Sequence, residues 1–192
     1  MTTRRIDKPL PEEYPAYSCI YMDLMKDDGK VLEHLWTNFL DLKKMVLDLT
    51  EDQLNYRYAE GKWTIKEILV HLIDDERIFA YRALRYARND STPLHGFDQD
   101  AYASCSNANS RSLDDIFEEY ETVRKATISL FLNLPEDSFL RGGAGIDYDG
   151  SIINKRTVRA LAYHIAGHEL RHINIIKERY LKRSLWFPRN FN

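Results

Sequence analysis

Residues 64–89 read TIKEILVHLIDDERIFAYRALRYARN, and this stretch carries the clearest helix signal in the chain. Its apolar residues recur at three- and four-residue spacing, as on one face of an α-helix: Ile65, Ile68, Leu69, Leu72, Phe79, Ala83 and Tyr86. Thr64 can cap the first turn, and Glu67 three residues later completes a capping box. The pattern predicts a long amphipathic helix that ends near Asn89, before a Ser-Thr-Pro break.

Three more helices of this kind are predicted, at about residues 29–49, from Ser112 to the stop at Leu134-Pro135, and from Thr157 to about Lys182. No segment has the pattern of a long strand, and there is no repeat. The sequence therefore predicts an all-α fold, an up-down four-helix bundle with a long loop at residues 90–111 between helices 2 and 3. The glycine-rich residues 141–156 indicate either a flexible turn region or a small hairpin.

The composition is that of one globular domain. The 192 residues include 44% hydrophobic residues, and three prolines among the first 15 residues indicate an extended arm. We therefore expect an N-terminal arm at residues 1–28, the bundle at 29–183 and a C-terminal tail at 184–192. Homodimerisation through helix faces or this tail is compatible with such a bundle.

Charge and cysteine usage exclude several kinds of partner. The net charge is −3, with 27 basic and 30 acidic residues and no block of one sign, so neither nucleic acid nor an anionic membrane surface is expected as a partner. No segment approaches the roughly 18 apolar residues of a membrane span. Cys19 and Cys105 have no CxxC spacing, which is typical of a reducing compartment. A cytoplasmic protein that acts on a small molecule is expected.

Two histidines of the predicted fourth helix share one face. Residues 163–172 read YHIAGHELRH, and His168 and His172 are four residues apart, which separates them by about 40° and one turn. By the same geometry they fall within the apolar stripe that points into the bundle, whereas His164 falls near its edge. Two neutral imidazoles in a core need partners for their ring nitrogens, and one metal ion supplies a partner to each ring.

A third histidine, His71, lies beside the apolar stripe of the predicted second helix and can reach the bundle interior. Asp75 follows one turn later and could orient the His71 ring through its free N–H, or could pair with Arg82 at the surface. Three histidines would leave open positions on a divalent ion, as catalytic sites do. The alternative is a hydrogen-bonded network of core histidines without a metal.

The segment from His168 to His172 also matches the H-E-x-x-H helix of zinc proteases, in which the glutamate, here Glu169, acts as general base. The extended form of that motif fails, because Ile175 stands where glycine belongs and Glu178 where the third histidine belongs. The protease interpretation is therefore disfavoured.

Three segments resemble the DinB/YfiT-like superfamily of metal-binding four-helix proteins. They are KWTIKEILVHL at residues 62–72, TPLHGFD at 92–98 and AGHELRHIN at 166–174, and the resemblance covers about residues 29–182. It implies that His71, His168 and His172 bind zinc, nickel or a similar ion. Members of the superfamily include thiol S-transferases that use bacillithiol, mycothiol or glutathione, and proteins labelled as metal-dependent hydrolases.

The resemblance favours a metal-dependent thiol S-transferase that acts on small electrophiles with a low-molecular-weight thiol. A metal-dependent hydrolase of small amides or esters is the alternative, with Glu169, Asp75 or Asp98 moving protons. A non-catalytic module that binds a small molecule is a third hypothesis. A cationic pocket for the carboxylates of a thiol would favour the transferase, and its candidates are Arg77, Arg82, Arg85 and Arg171.

Overall fold

The computed structural model describes residues 4–90, 92–146 and 149–182. Its helices are α1 (Cys19–Met22), α2 (Val31–Val46), α3 (Glu51–Leu54), α4 (Ile65–Ala87), α5 (Gln99–Cys105), α6 (Leu113–Asn133) and α7 (Val158–Ile175). Its strands are β1 (Leu94–His95), β2 (Gly142–Ile146) and β3 (Ile152–Thr157), and a π-helical turn, Ile176–Leu181, continues α7. The long helices α2, α4, α6 and α7 pack together, which confirms the predicted four-helix bundle.

The predicted capping residues begin three of the long helices. The hydroxyl of Thr64 accepts a hydrogen bond from the backbone N–H of Glu67, whose carboxylate accepts one from the backbone N–H of Thr64. The Ser112 hydroxyl accepts a hydrogen bond from the backbone N–H of Asp115 at the start of α6, and the Thr157 hydroxyl accepts one from that of Ala160 at the start of α7. These bonds satisfy backbone N–H groups that a helix start leaves without partners, so the local sequence determines where the helices begin.

Two apolar clusters, one at each end of the bundle, show the direction of each helix. The first cluster contains the start of α2, the ends of α4 and α6 and the start of α7, represented by Leu35, Phe79, Phe131 and Leu161. The second contains the opposite ends, represented by Leu42, Leu69, Phe117 and Ile173. Helices α2 and α7 therefore run one way, and α4 and α6 run the other way.

The connection between α4 and α6 runs back along the length of the bundle. At its far end, the Asn109 amide donates to Glu67 at 3.0 Å and accepts from the Thr64 hydroxyl at 2.7 Å, beside the start of α4. The connection contains β1, α5 and a 3-10 turn, so it is more ordered than the predicted loop. The up-down alternation holds from α2 to α4 and from α6 to α7, whereas this return makes α4 and α6 parallel.

A three-stranded sheet packs against α4 and α7. Strands β2 and β3 form an antiparallel hairpin, and β1 from the long connection pairs in parallel with β2. The hairpin is one of the two structures predicted for residues 141–156. Glycine is required at Gly142, because a Cβ there would overlap the backbone carbonyl oxygen of Arg156.

Residues 4–28, within the predicted arm, pack against the bundle. Ile6, Met22 and Met25 are buried in the first apolar cluster. Gly167 of α7 permits the close approach of α1, since a Cβ there would overlap the carbonyl oxygen of Tyr21. The predicted tail at 184–192 lies outside the described residues. Within those residues, no helix combines the length and the apolar content that crossing a membrane requires.

Candidate metal centre

The three predicted histidine ligands meet in the bundle interior. His71 lies on α4, and His168 and His172 lie on the antiparallel helix α7. The Nε2 atom of His168 is 3.2 Å from Nε2 of His71 and 3.1 Å from Nε2 of His172. One ligand atom from each of the three rings lies within 4.8 Å of the others. The packing of α4 against α7 therefore brings three nitrogen donors together at one point.

Asp75 contacts His168, on the side of the ring that faces away from this point. Its Oδ2 is 3.2 Å from Nδ1 of His168 and 3.9 Å from Nε2 of His164. The prediction that Asp75 orients His71 is therefore wrong, because α7 inserts His168 beside the turn of α4 that follows His71. A proton on Nδ1, facing the carboxylate, leaves the Nε2 lone pair of His168 directed at the other two histidines.

Burial keeps His71 and His172 uncharged at neutral pH. It lowers the pKa of His71 to about 4, with a further contribution from His168, and lowers the pKa of His172 well below its ordinary value. Although burial alone would raise it, the pKa of Asp75 is held below its ordinary value by the contact with His168. Neutral imidazole is the form that binds metal ions.

Aromatic rings enclose the cluster from two directions. The Trp63 ring lies 4.6 Å from that of His71 and stacks parallel to that of His172 at 6.3 Å. Tyr21 meets His164 and His168 edge-on, at 4.7 and 5.3 Å. The predicted helix faces gave no indication of either contact, since Trp63 precedes α4 and Tyr21 belongs to the predicted arm.

His164 is not one of the converging donors. Its ring stacks on Phe79 at 3.9 Å between centroids and lies 5.7 Å from the ring of His168. Burial lowers the pKa of His164 well below its ordinary value, so it is a neutral ring that packs behind His168.

The residues present fit a divalent metal ion. Two nitrogen atoms bound to one tetrahedral zinc at about 2.0–2.1 Å are about 3.3 Å apart, close to the two measured Nε2 separations. His71 and His172 are neutral, and a carboxylate lies beside the central ring, that of His168, as in many zinc sites. Three protein ligands leave a position for a further molecule.

Glu169 belongs to a buried hydrogen-bond network that is separate from the histidine cluster. Its side chain is 1% exposed and accepts hydrogen bonds from Tyr120 at 2.7 Å and from Arg124 at 3.0 and 3.1 Å. Glu76 binds the same guanidinium at 2.9 to 3.1 Å. Glu169 therefore points toward α6, and its contacts there favour a structural role over the predicted catalytic one.

A pocket of about 390 Å³ opens beside the cluster. His168, His164 and Asp75 line it, and residues from four segments complete the lining: Tyr17, Tyr21, Phe79, Arg82, Gly96, Phe97, Asp98, Gln99, Asp100 and Arg156. The predicted loop segment around Phe97 and Asp98 thus lies at the site. His95 contributes its carbonyl oxygen, which accepts a hydrogen bond from Arg82 at 2.9 Å.

The predicted cationic candidates separate into two groups. Arg82 lines the pocket, whereas Arg77 pairs with Glu119 and Arg85 with Asp90, and Arg171 is exposed. The pocket's second arginine, Arg156, was missed by the sequence analysis. It lies on β3, in a segment without helical periodicity, and only the hairpin brings it to the bundle.

The family described as the DinB superfamily matches residues 32–176, which is most of the chain. The chain belongs to the DinB superfamily.

Relatives of this DinB superfamily member carry related names. It is 28% identical over 152 residues to a protein of Oceanobacillus iheyensis named "Putative metal-dependent hydrolase", covering 79% of this chain and 86% of that protein. It is 21% identical over 185 residues to the Bacillus subtilis protein named "Putative metal-dependent hydrolase YfiT", covering 93% and 98%.

A solved structure has the same fold. The structure of Bacillus subtilis YfiT, described as having an unusual four-helix bundle topology, matches with a TM-score of 0.70 and 22% sequence identity. The match covers 84% of this chain and 89% of that one.

Replacing Asp75 tests its support of His168. We expect Asp75→Asn to lower the affinity for zinc or nickel about ten- to hundredfold, because the amide does not stabilise the required tautomer as a carboxylate does. Asp74→Asn is the matched control, since Asp74 pairs with Arg77 and contacts no histidine of the cluster. Competition with a chromogenic chelator measures both affinities, and equal losses in the two variants would contradict the assignment.

Proposed function

We propose that His71, His168 and His172 bind one divalent ion, zinc or nickel, and that the chain is a metal-dependent thiol S-transferase acting on small electrophiles. The convergence of three imidazole Nε2 atoms beside a pocket carries this proposal. A bound ion would lower the pKa of a thiol at its open position, which makes the thiolate available near neutral pH.

The chain's own residues would orient and shield the reactants. Asp75 holds the His168 ring, so that its Nε2 keeps one direction. Trp63 and Tyr21 cover the cluster with apolar surface and exclude water. The pocket would hold the electrophile or the body of the thiol, and at about 390 Å³ it accepts small molecules.

The electrostatics of the pocket favour the transferase over the hydrolase. Two buried arginines, Arg82 and Arg156, line the pocket, and glutathione and bacillithiol carry carboxylates that such side chains bind. Hydrolysis needs a proton acceptor near the attacking water. Glu169 is engaged by Arg124, and Asp98 caps α5. Attack by a thiolate that is already deprotonated needs no carboxylate as proton acceptor.

Hydrolysis of small amides or esters is the second candidate. The names of the relatives favour it, and Asp75 lines the pocket, from which it could exchange a proton with a bound water.

A paired assay separates the candidates. Metal-loaded protein is offered monochlorobimane with glutathione, bacillithiol or mycothiol, and p-nitrophenyl acetate without thiol. We expect conjugation that requires both metal and thiol, falls at least about a hundredfold in His172→Gln, and is retained in His34→Gln, whose ring contacts Asp28 instead. Ester turnover without thiol would select the hydrolase, and no turnover of either kind would contradict both.

A further inference from the structure

Arg156 is a buried cation with no anionic partner among the residues that the structure describes. Its side chain lies at the wall of the pocket and the residue is 5% exposed. One Nη2 hydrogen bond goes to the neutral hydroxyl of Tyr17, and Nε donates to no acceptor among the described residues. The guanidinium also lies over the rings of Tyr17 and Phe79, at 5.4 and 5.6 Å.

A buried guanidinium normally has a carboxylate beside it, because desolvation of a lone charge is costly. Arg124 in the same bundle binds both Glu76 and Glu169. Burial lowers the pKa of Arg156 to about 10, with no contribution from a carboxylate, so the side chain stays cationic at neutral pH. The pocket therefore contains a positive charge that the described chain does not neutralise.

The acidic residues of the pocket are directed elsewhere. Asp75 faces His168, and Asp98 accepts hydrogen bonds from the backbone N–H groups of Asp100 and Ala101 at the start of α5. Asp100 itself is exposed. Among the described residues, none of these carboxylates forms an ion pair with Arg156, so the guanidinium can accept an anion from a molecule bound in the pocket.

The charge lies close to the histidine cluster. Phe79 contacts the Arg156 guanidinium at 5.6 Å and stacks on His164 at 3.9 Å. His164 in turn lies beside His168. His164 and His168 both line the pocket, so a molecule bound to Arg156 shares that pocket with one of the three proposed ligands.

We propose that Arg156 binds the carboxylate of the small molecule that enters this pocket, and that the protein selects carboxylic acids with a compact apolar body. The inference rests on the proposed function, because it names the substrate or thiol class for that site. Tyr17, Phe79 and Phe97 supply the apolar walls, and Arg82 holds the loop above the pocket through the carbonyl oxygen of His95. Arg82 is thus a positioning residue for this binding.

Benzoate and benzamide are suitable probes, since they share a shape and differ in charge. Their affinities are measured by calorimetry on metal-loaded and on chelator-treated protein, for the natural sequence, Arg156→Met, Arg156→Lys and Lys155→Met. Lys155→Met is the matched control, because it removes the same charge from the adjacent, exposed position. Metal content and circular dichroism are recorded for every variant.

We expect benzoate to bind more tightly than benzamide, and Arg156→Met to weaken benzoate about ten- to hundredfold while leaving benzamide unchanged. Arg156→Lys should retain part of the preference, and Lys155→Met all of it. Equal binding of the two probes, or a preference that disappears with the metal and is unchanged in Arg156→Met, would overturn the inference. A natural protein that binds no metal but keeps the preference would contradict the proposed function alone.

Discussion

The His168→Ala protein is expected to lose its divalent ion. His168 lies between the other two histidines, and its Nε2 is within 3.2 Å of both. Removing it leaves His71 on α4 and His172 on α7 without the central donor. Replacing a residue that only hydrogen-bonds a metal ligand typically lowers the metal affinity about ten- to hundredfold. Replacing a ligand itself should therefore lower the metal affinity more than a hundredfold.

The measurement is metal content by mass spectrometry on protein purified without a histidine tag. The natural sequence should hold close to one ion per chain and His168→Ala nearly none after dialysis. His164→Gln is the matched control, since His164 lies one turn earlier on α7 and is not among the three converging donors. Equal metal content in the natural protein and His168→Ala would show that the histidines form a metal-free network.

Arg124→Met is expected to destabilise the bundle by about 3–5 kcal/mol, because it removes the partner of two buried carboxylates. Arg124 is fully buried, and its guanidinium donates to Glu76, to Glu169 and to the carbonyl oxygen of Leu35. These contacts join all four long helices at one level. The loss should therefore reduce the free energy of unfolding measured with urea.

Arg77→Met provides the comparison for this prediction. Arg77 also pairs with a glutamate of α6, Glu119, but its side chain is 49% exposed, so its removal should cost less than about 1 kcal/mol. Adding Glu76→Gln and Glu169→Gln to Arg124→Met should recover part of the loss, since no carboxylate is then left unpaired. Similar losses for Arg77→Met and Arg124→Met would contradict the assignment of a buried network.

Glu169 illustrates where a sequence motif can mislead. His168, Glu169 and His172 match a protease helix in sequence, yet successive residues of a helix point about 100° apart. His168 faces α4, which packs directly against α7, whereas Glu169 points across the bundle to Tyr120 and Arg124 of α6. The motif specifies the spacing of the side chains along α7 but not which neighbouring helix each one meets.

The long connection illustrates the same limit for the fold. Its length and its position between two amphipathic helices are visible in the sequence. Its path beside α4, its pairing with the hairpin and the parallel direction of α4 and α6 depend on contacts between residues far apart in the chain, such as Thr64 with Asn109. Local spacing contains no information about such contacts.

The sequence by itself determined the helices, their caps and the inward face of the histidines, because helix period and backbone capping are local properties. It thereby identified His71, His168 and His172 as the candidate ligands. Only the tertiary structure decided that Asp75 supports His168, that Glu169 binds Arg124, and that Arg156 reaches the pocket from a hairpin. Each of these depends on which surfaces meet when the helices pack, and packing joins residues that the sequence separates.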